Sequence, residues 1–444
     1  MFETLIHGAT VVNAEGPSRW DVGIANGKVS AVIAAGKAAE ARTVIDAAGC
    51  LLLPGLVDAH AHLREPGLTH KEDFASGTHA AALGGVTTVL DMPTDEPWTA
   101  TPEQFADKMK MAQGRIHVDV GLQAVVSRDL SRIAGLLDLS PVSFELFTAD
   151  VPDAFLFASL DAVAEVLKAF GEAGTLIGIS PGDQSILSGS TERDRSGSIA
   201  AFLDSRSPVA EAGGIARALV AAASTGTKIH IRQINSELGV ETWRRLRGIA
   251  DASVETTPQS LFFTADDYQT QGANLKASPP LRSSRDVEAL RAALSGGLID
   301  IVATDHAPHS PVEKTAPHAA FADIPGGMPG LQTLLATMLK LVDDGLIALP
   351  DLVRMCARNP AERFGLGRRK GRIAAGYDAD LLILDSRQSS SISNAEQVSR
   401  AAYTPFDGWT VGARLTNVFL RGREIVRAGK LIGPTFGNIV TRES

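Results

Sequence analysis

Apolar and polar side chains alternate over short stretches at the start of the chain: Thr4-Leu5-Ile6-His7, Thr10-Val11-Val12, Val22-Gly23-Ile24 and Lys28 to Ile33. Asn13, Gly16 and Asn26-Gly27 punctuate them. A period of two with turn residues between predicts short strands. The same texture returns from about Gly371 to Val426, in Asp378-Ala379-Asp380-Leu381-Leu382-Ile383-Leu384-Asp385 and in Val418 to Val426. Two β-rich ends around a different middle predict one small β-sandwich domain built from both termini, residues 1–53 and 367–444.

The middle, residues 54–366, follows another rhythm. Apolar runs at 86–91, 118–125, 143–147, 175–180, 228–233, 253–256 and 299–304 are separated by helical patterns such as Thr101–Gln113, Leu160–Glu172, Val209–Ser224 and Arg285–Leu294. Repeated βα alternation over some 300 residues predicts an α/β fold, a (β/α)8 TIM-like barrel, with its chemistry at the C-terminal ends of the strands.

Two strand ends carry that chemistry. Cys50 to Val57 reads as a buried strand and runs into Asp58-Ala59-His60-Ala61-His62. Alternate strand residues share a face, so both imidazoles project to one side, an arrangement suited to a divalent transition metal. The run Ile299 to Thr304 ends at Asp305, followed by His306-Ala307-Pro308-His309. A carboxylate at such a place can hold a metal and take a proton from its water. His309, one turn farther out, is expected to contact substrate.

Composition narrows the partners. A net charge of −9 disfavours nucleic acid and anionic membranes, which select basic faces. Hydrophobic content of 44% with 21% charged residues suits a soluble enzyme. Cys50 and Cys356, both in apolar surroundings, fit buried thiols in a reducing cytoplasm. Neither a signal peptide nor an apolar run of membrane-spanning length is expected.

His60-x-His62-x-Arg64-Glu65-Pro66-Gly67, Gly84-Gly85-Val86-Thr87-Thr88 with Met92-Pro93, Ser278-Pro279-Pro280-Leu281-Arg282 and Thr304 to His309 come in an order that resembles the amidohydrolase superfamily. More narrowly it resembles the cyclic amidohydrolase branch of dihydroorotases, allantoinases and hydantoinases. Asn359-Pro360-Ala361 and Gly371 to Asp380 are similar to that family's return into its β domain. The resemblance implies a site of two metals bridged by a carboxylated lysine. One ion is held by His-x-His and the strand-end Asp, the other by a histidine from each of two later strands.

Several of those positions differ. The lysine position reads Phe144-Glu145-Leu146-Phe147, the next ligand Ser180-Pro181-Gly182-Asp183, and the last lies in His230-Ile231-Arg232-Gln233. A family-like Pro-His-His is Pro258-Gln259-Ser260. Both missing histidines belong to the second ion, so the resemblance implies a remodelled one-metal site. Glu145 is the candidate for the remaining ligand, although it is shorter than a carboxylated lysine by roughly 3–4 Å. Asp150 and Asp153 are alternatives. Strand alternation points His230 away from the face that Gln233 occupies.

Arg64 matches an arginine that grips a substrate carboxylate in the family's dihydroorotases, and a guanidinium fork suits that group. His309 matches a second carboxylate contact. The asparagine expected after Met92-Pro93 is replaced by Thr94-Asp95-Glu96, which places Asp95 near the substrate. Ser278 and Gly326-Gly327 offer amide contacts or plain turn chemistry.

The reading that follows is metal-dependent hydrolysis of a cyclic amide, imide or ureide. One Zn, or Mn, is held by His60, His62, Asp305 and Glu145. Asp305 shuttles the proton, Arg64 and His309 orient the ring, and Gln233 or Ser180 helps to polarise the carbonyl. The alternatives are a non-catalytic dihydroorotase-like subunit supporting a partner enzyme, and a deaminase or lyase on the same barrel. The resemblance also implies a homodimer or homotetramer.

Overall fold

Eight parallel strands close a barrel in the computed structural model, which describes residues 1–34 and 39–442. Positions 35–38 and 443–444, within the two terminal segments expected to form the β domain, lie outside the described residues. The barrel strands are Leu56–Ala61, Val86–Asp91, Asp119–Leu122 continued by Ala124–Val125, Phe144–Phe147, Ile177–Ser180, Ile229–Ile231, Ala252–Thr256 and Ile301–Val302. Neighbours pair in chain order. The ring closes where the His62 amide donates to the His306 carbonyl at 2.7 Å, beside an Ala61–His306 bridge.

Every residue of the first two barrel strands is buried, because helices cover the outside and side chains fill the inside. The helices lie close to their expected places, at Pro102–Ala112, Leu160–Phe170, Pro208–Thr225 and Ser284–Ser295. Phe74–Leu83 adds one more, started by a capping box between Asp73 and Ser76.

The apolar run before His60 is two strands rather than the single one expected. Cys50–Pro54 pairs antiparallel with Leu381–Asp385 in the terminal sheet, and Leu56–Ala61 begins the barrel. Gly55 makes the crossing between them. A Cβ there would lie 2.1 Å from Thr87 Oγ1, so only glycine lets the chain pass.

Among the described residues, ten strands from both terminal segments form one mostly antiparallel sheet. Its core joins Ile6, Val11, Val22, Ile24 and Leu52 to Leu381, Ile383 and Phe419. The C-terminal tail does not stay there: Ile439–Val440 pairs in parallel with Asp119–Leu122 of the barrel.

A buried ion cluster ties the two parts together. Lys370 Nζ, 2% exposed as a residue, lies 2.6 Å from Asp119, 2.6 Å from Asp380 and 3.0 Å from Asp378. The three carboxylates are close enough to chelate a metal, but the ammonium already occupies their centre. Removing one partner of a buried ion pair leaves uncompensated charge, which costs about 3–5 kcal/mol. Lys370→Met is therefore expected to lower the unfolding free energy in urea by that amount, and a loss below about 1 kcal/mol would show that the carboxylates are neutral without it.

Candidate metal centre and substrate cleft

His60 Nε2 and His62 Nε2 lie 3.3 and 3.2 Å from one atom, Asp305 Oδ1. The other nitrogen of each ring is already used. His60 Nδ1 is 2.5 Å from Glu255 Oε1, and His62 Nδ1 is 2.9 Å from Thr94 Oγ1. Burial alone would raise the Glu255 pKa, but Arg232, His60 and His230 hold it well below the usual carboxylate range. An ionised carboxylate only accepts, so His60 Nδ1 donates, while Glu255 and Asp305 together raise the His60 pKa against the effect of burial. Two imidazole nitrogens and a carboxylate oxygen, all within 4.8 Å of one another, have the donor chemistry of a divalent transition-metal site.

Asp305 is held up at about 6, first by burial and against the pull of His60. Asp58, two residues before His60 in the strand Leu56–Ala61, is also raised by burial to about 6 and accepts from the Thr304 amide, the Thr304 hydroxyl and the His60 amide. Those bonds splint the strand ends that carry His60 and Asp305.

Glu145, the expected fourth ligand, is not in this group. It is fully buried against Arg232, which bonds Oε2 through Nε at 3.2 Å and Oε1 through Nη2. The same guanidinium donates to Glu255 Oε2 (3.0 Å), Gln123 Oε1 (2.6 Å) and the Ala59 carbonyl (3.0 Å). All five N–H groups of Arg232 thus have acceptors. Gly178 makes room for the pair, since a Cβ there would meet Glu145 Oε1 at 2.2 Å. Of the alternatives, Asp150 pairs with Arg206 at 2.6 Å and Asp153 lies exposed in a short turn.

His230 is buried and faces the barrel interior, sharing Glu255 Oε2 with Arg232 at 2.9 Å. Burial lowers its pKa to about 4. It therefore donates from Nε2 and accepts from Ser253 at Nδ1 (2.8 Å). It is outside the His60, His62 and Asp305 group, as expected. The expectation that His230 points away from the face of Gln233 fails, because the strand ends at Ile231 and Gln233 has a left-handed backbone, φ 49°. That break in alternation lets Arg232 and Gln233, adjacent in sequence, both reach inward.

Arg64 and His309 are brought together, with Arg64 Nη2 3.4 Å from His309 Nε2. His309 Nε2 is also 3.0 Å from the Gly326 carbonyl, which can only accept. Among the described residues, His309 Nδ1 and Arg64 Nε are buried without partners. Among the described residues no carboxylate pairs with Arg64, although it is only 8% exposed. Asp95 does not serve it. Its carboxylate lies 2.6 Å from Lys108 Nζ and accepts from Thr99 Oγ1 at 2.9 Å, while Lys108 also holds Asp91 at 2.7 Å. Asp95 belongs to a buried ion cluster beneath the cleft rather than to its surface.

Ser180, Gln233 and Ser278 line a cavity of about 170 Å³ together with Phe147, Arg232 and Pro279. Gln233 Nε2 donates to Asp305 Oδ2 at 2.6 Å and leans on the Ser278 carbonyl at 3.4 Å. Arg64, Gln233 and Asp305, at the ends of three different strands, all have positive φ. Such conformations cost non-glycine residues of order 1–3 kcal/mol and gather where function over-determines the backbone.

Residues 51–425 match the Amidohydrolase family. The chain belongs to the amidohydrolase family. It is 33% identical to a dihydroorotase of Methanothermobacter thermautotrophicus over 93% of this chain and 92% of that one. It is 32% identical to an allantoinase of Deinococcus radiodurans, covering 100% of this chain and 99% of its relative. Its fold superposes on the L-hydantoinase (dihydropyrimidinase) from Arthrobacter aurescens with a TM-score of 0.95 at 30% identity over the full length of both. These relatives put it in the cyclic amidohydrolase branch, whose enzymes open cyclic amide C–N bonds. Among the described residues no helix is long and apolar enough to cross a membrane.

Arg232 and Glu255 escaped the sequence reading. A charged residue in each of two runs expected as strands, Arg232 in 228–233 and Glu255 in 253–256, was the available signal.

Proposed function

We propose that this chain is a dihydroorotase-like hydrolase of a cyclic amide, imide or ureide that bears a carboxylate, working with one divalent ion. The observation that carries the reading is the convergence of His60 Nε2 and His62 Nε2 on Asp305 Oδ1. The one-ion part is supported by the occupancy of the neighbouring carboxylates: both oxygens of Glu145 and both of Glu255 already accept hydrogen bonds. The intact group speaks against a non-catalytic subunit, which has no use for it.

His60, His62 and Asp305 would hold a divalent ion, Zn or Mn, which would supply Lewis acidity at the ring carbonyl. Asp305, at the strand end beside both imidazoles, would accept the proton of the attacking water and return it to the leaving ring nitrogen. Glu255 keeps His60 in one tautomer, with Nε2 turned inward. Arg64, a buried guanidinium with an unpartnered Nε, binds the substrate carboxylate beside His309.

The test is elemental analysis of protein purified without chelator, with His60→Ala as control, followed by assay of five- and six-membered rings with and without a carboxylate. About one ion per chain, lost in the variant, and turnover of a carboxylate-bearing ring are the expected results. Two ions would refute the one-ion reading, and no ion after incubation with Zn or Mn would refute the hydrolase. Arg64→Gln is expected to raise KM for the carboxylate-bearing ring about 10–150-fold, the worth of a charged hydrogen bond, and to leave a neutral ring unaffected.

A further inference from the structure

The Gln233 amide has an orientation that its neighbours dictate. Its nitrogen faces Asp305 Oδ2 at 2.6 Å and the Ser278 carbonyl at 3.4 Å, two groups that can only accept from it. The donor end is therefore spent, and Gln233 has no N–H left to polarise a substrate carbonyl. Its Oε1 accepts no hydrogen bond among the described residues, although the side chain is half-buried and lines the cavity of about 170 Å³. The backbone holds this arrangement at φ 49°, a conformation that a residue with a long side chain adopts at a cost.

We propose that Gln233 both positions Asp305 and reads the substrate. Its NH2 group fixes Oδ2, which leaves Oδ1 turned to the two imidazoles, and its Oε1 accepts a hydrogen bond from a ring N–H. The ligand class is then a cyclic amide, imide or ureide with a free N–H at that edge, as distinct from an N-alkylated ring. This rests on the proposed hydrolase reading for the identity of the ring, but not for the contact itself. A site built to bond an N–H discriminates strongly against an analogue that lacks it, because its polar group is left unpaired.

Hydantoin-5-acetate and its two N-methyl derivatives are the probes. Their binding to metal-loaded protein is measured by calorimetry and their opening by turnover, for the wild type, Gln233→Leu and Gln233→Glu, with metal content and thermal midpoint recorded for each. The wild type is expected to prefer the parent over one N-methyl derivative by about 100-fold or more. Gln233→Leu, near in shape, is expected to bring that ratio within about threefold with its ion retained. Gln233→Glu keeps an acceptor but sets a second carboxylate against Asp305. It is expected to keep the preference while kcat falls.

A merely structural role would lower all three ligands together and leave the ratio in place. An unchanged ratio in Gln233→Leu, or no preference in the wild type, overturns the contact. Selective binding without ring opening overturns the hydrolase reading and leaves the contact standing. No binding of any of the three overturns both.

Discussion

Asp305→Asn is expected to lower kcat by about 10²–10⁴-fold, the usual worth of a positioned proton acceptor. Asparagine has the same shape, so the packing around Asp305, 6% exposed, is kept. What it loses is the charge toward which His60 and His62 converge and the site that takes the proton. Gln233 would then face an amide in place of Oδ2, with either a lost hydrogen bond or a flipped Asn. Steady-state kinetics with elemental analysis on the same sample separates the roles. A retained ion with lost kcat assigns Asp305 to proton transfer, and loss of the ion makes it a ligand first. Undiminished activity would remove Asp305 from the chemistry altogether.

The second large effect is expected on stability. Arg232→Met leaves Glu145 and Glu255 buried at 0% exposure with one cation fewer between them. Breaking a buried charge network in this way costs about 3–5 kcal/mol. Glu255 keeps His60 and His230 as donors, so most of the burden falls on Glu145. Arg232→Met with Glu145→Gln removes both charges and is expected to recover part of the loss, because a neutral amide is cheaper to bury than a carboxylate. Urea unfolding of the two variants decides. A single variant as stable as the wild type would mean that the pair is not ionised. Equal losses in the single and double variants would place the effect on Glu255 and not on Glu145.

Much of the architecture could be read from periodicity. Seven apolar runs spaced by helical patterns are barrel strands within a few residues of where they were expected, since a strand covered on both faces needs continuous apolar side chains. His60, His62 and Asp305 were legible for a local reason. His-x-His and a strand-end Asp each declare their chemistry within a few residues, and the fold of the barrel brings the strand ends together. Arg64 and His309 were legible through resemblance, and they do meet.

Pairing across the interior was not legible. Glu145 looked like a free ligand because nothing within the strand Phe144–Phe147 reveals that Arg232, two strands away and 87 residues later, has taken it. Asp95 looked like a substrate contact because the ion that takes it, Lys108, stands 13 residues later on the helix Pro102–Ala112. His230 is expected to point away from the face of Gln233 because alternation assumes extended backbone, and the left-handed Gln233 at the strand end breaks it. The sequence by itself determined which elements form, which faces are apolar and which residue types stand at the strand ends, because those depend on neighbours a few positions apart. Only the tertiary structure decided which charge neutralises which, because in a buried, water-poor interior an ion is assigned by distance to its counter-ion and not by order along the chain.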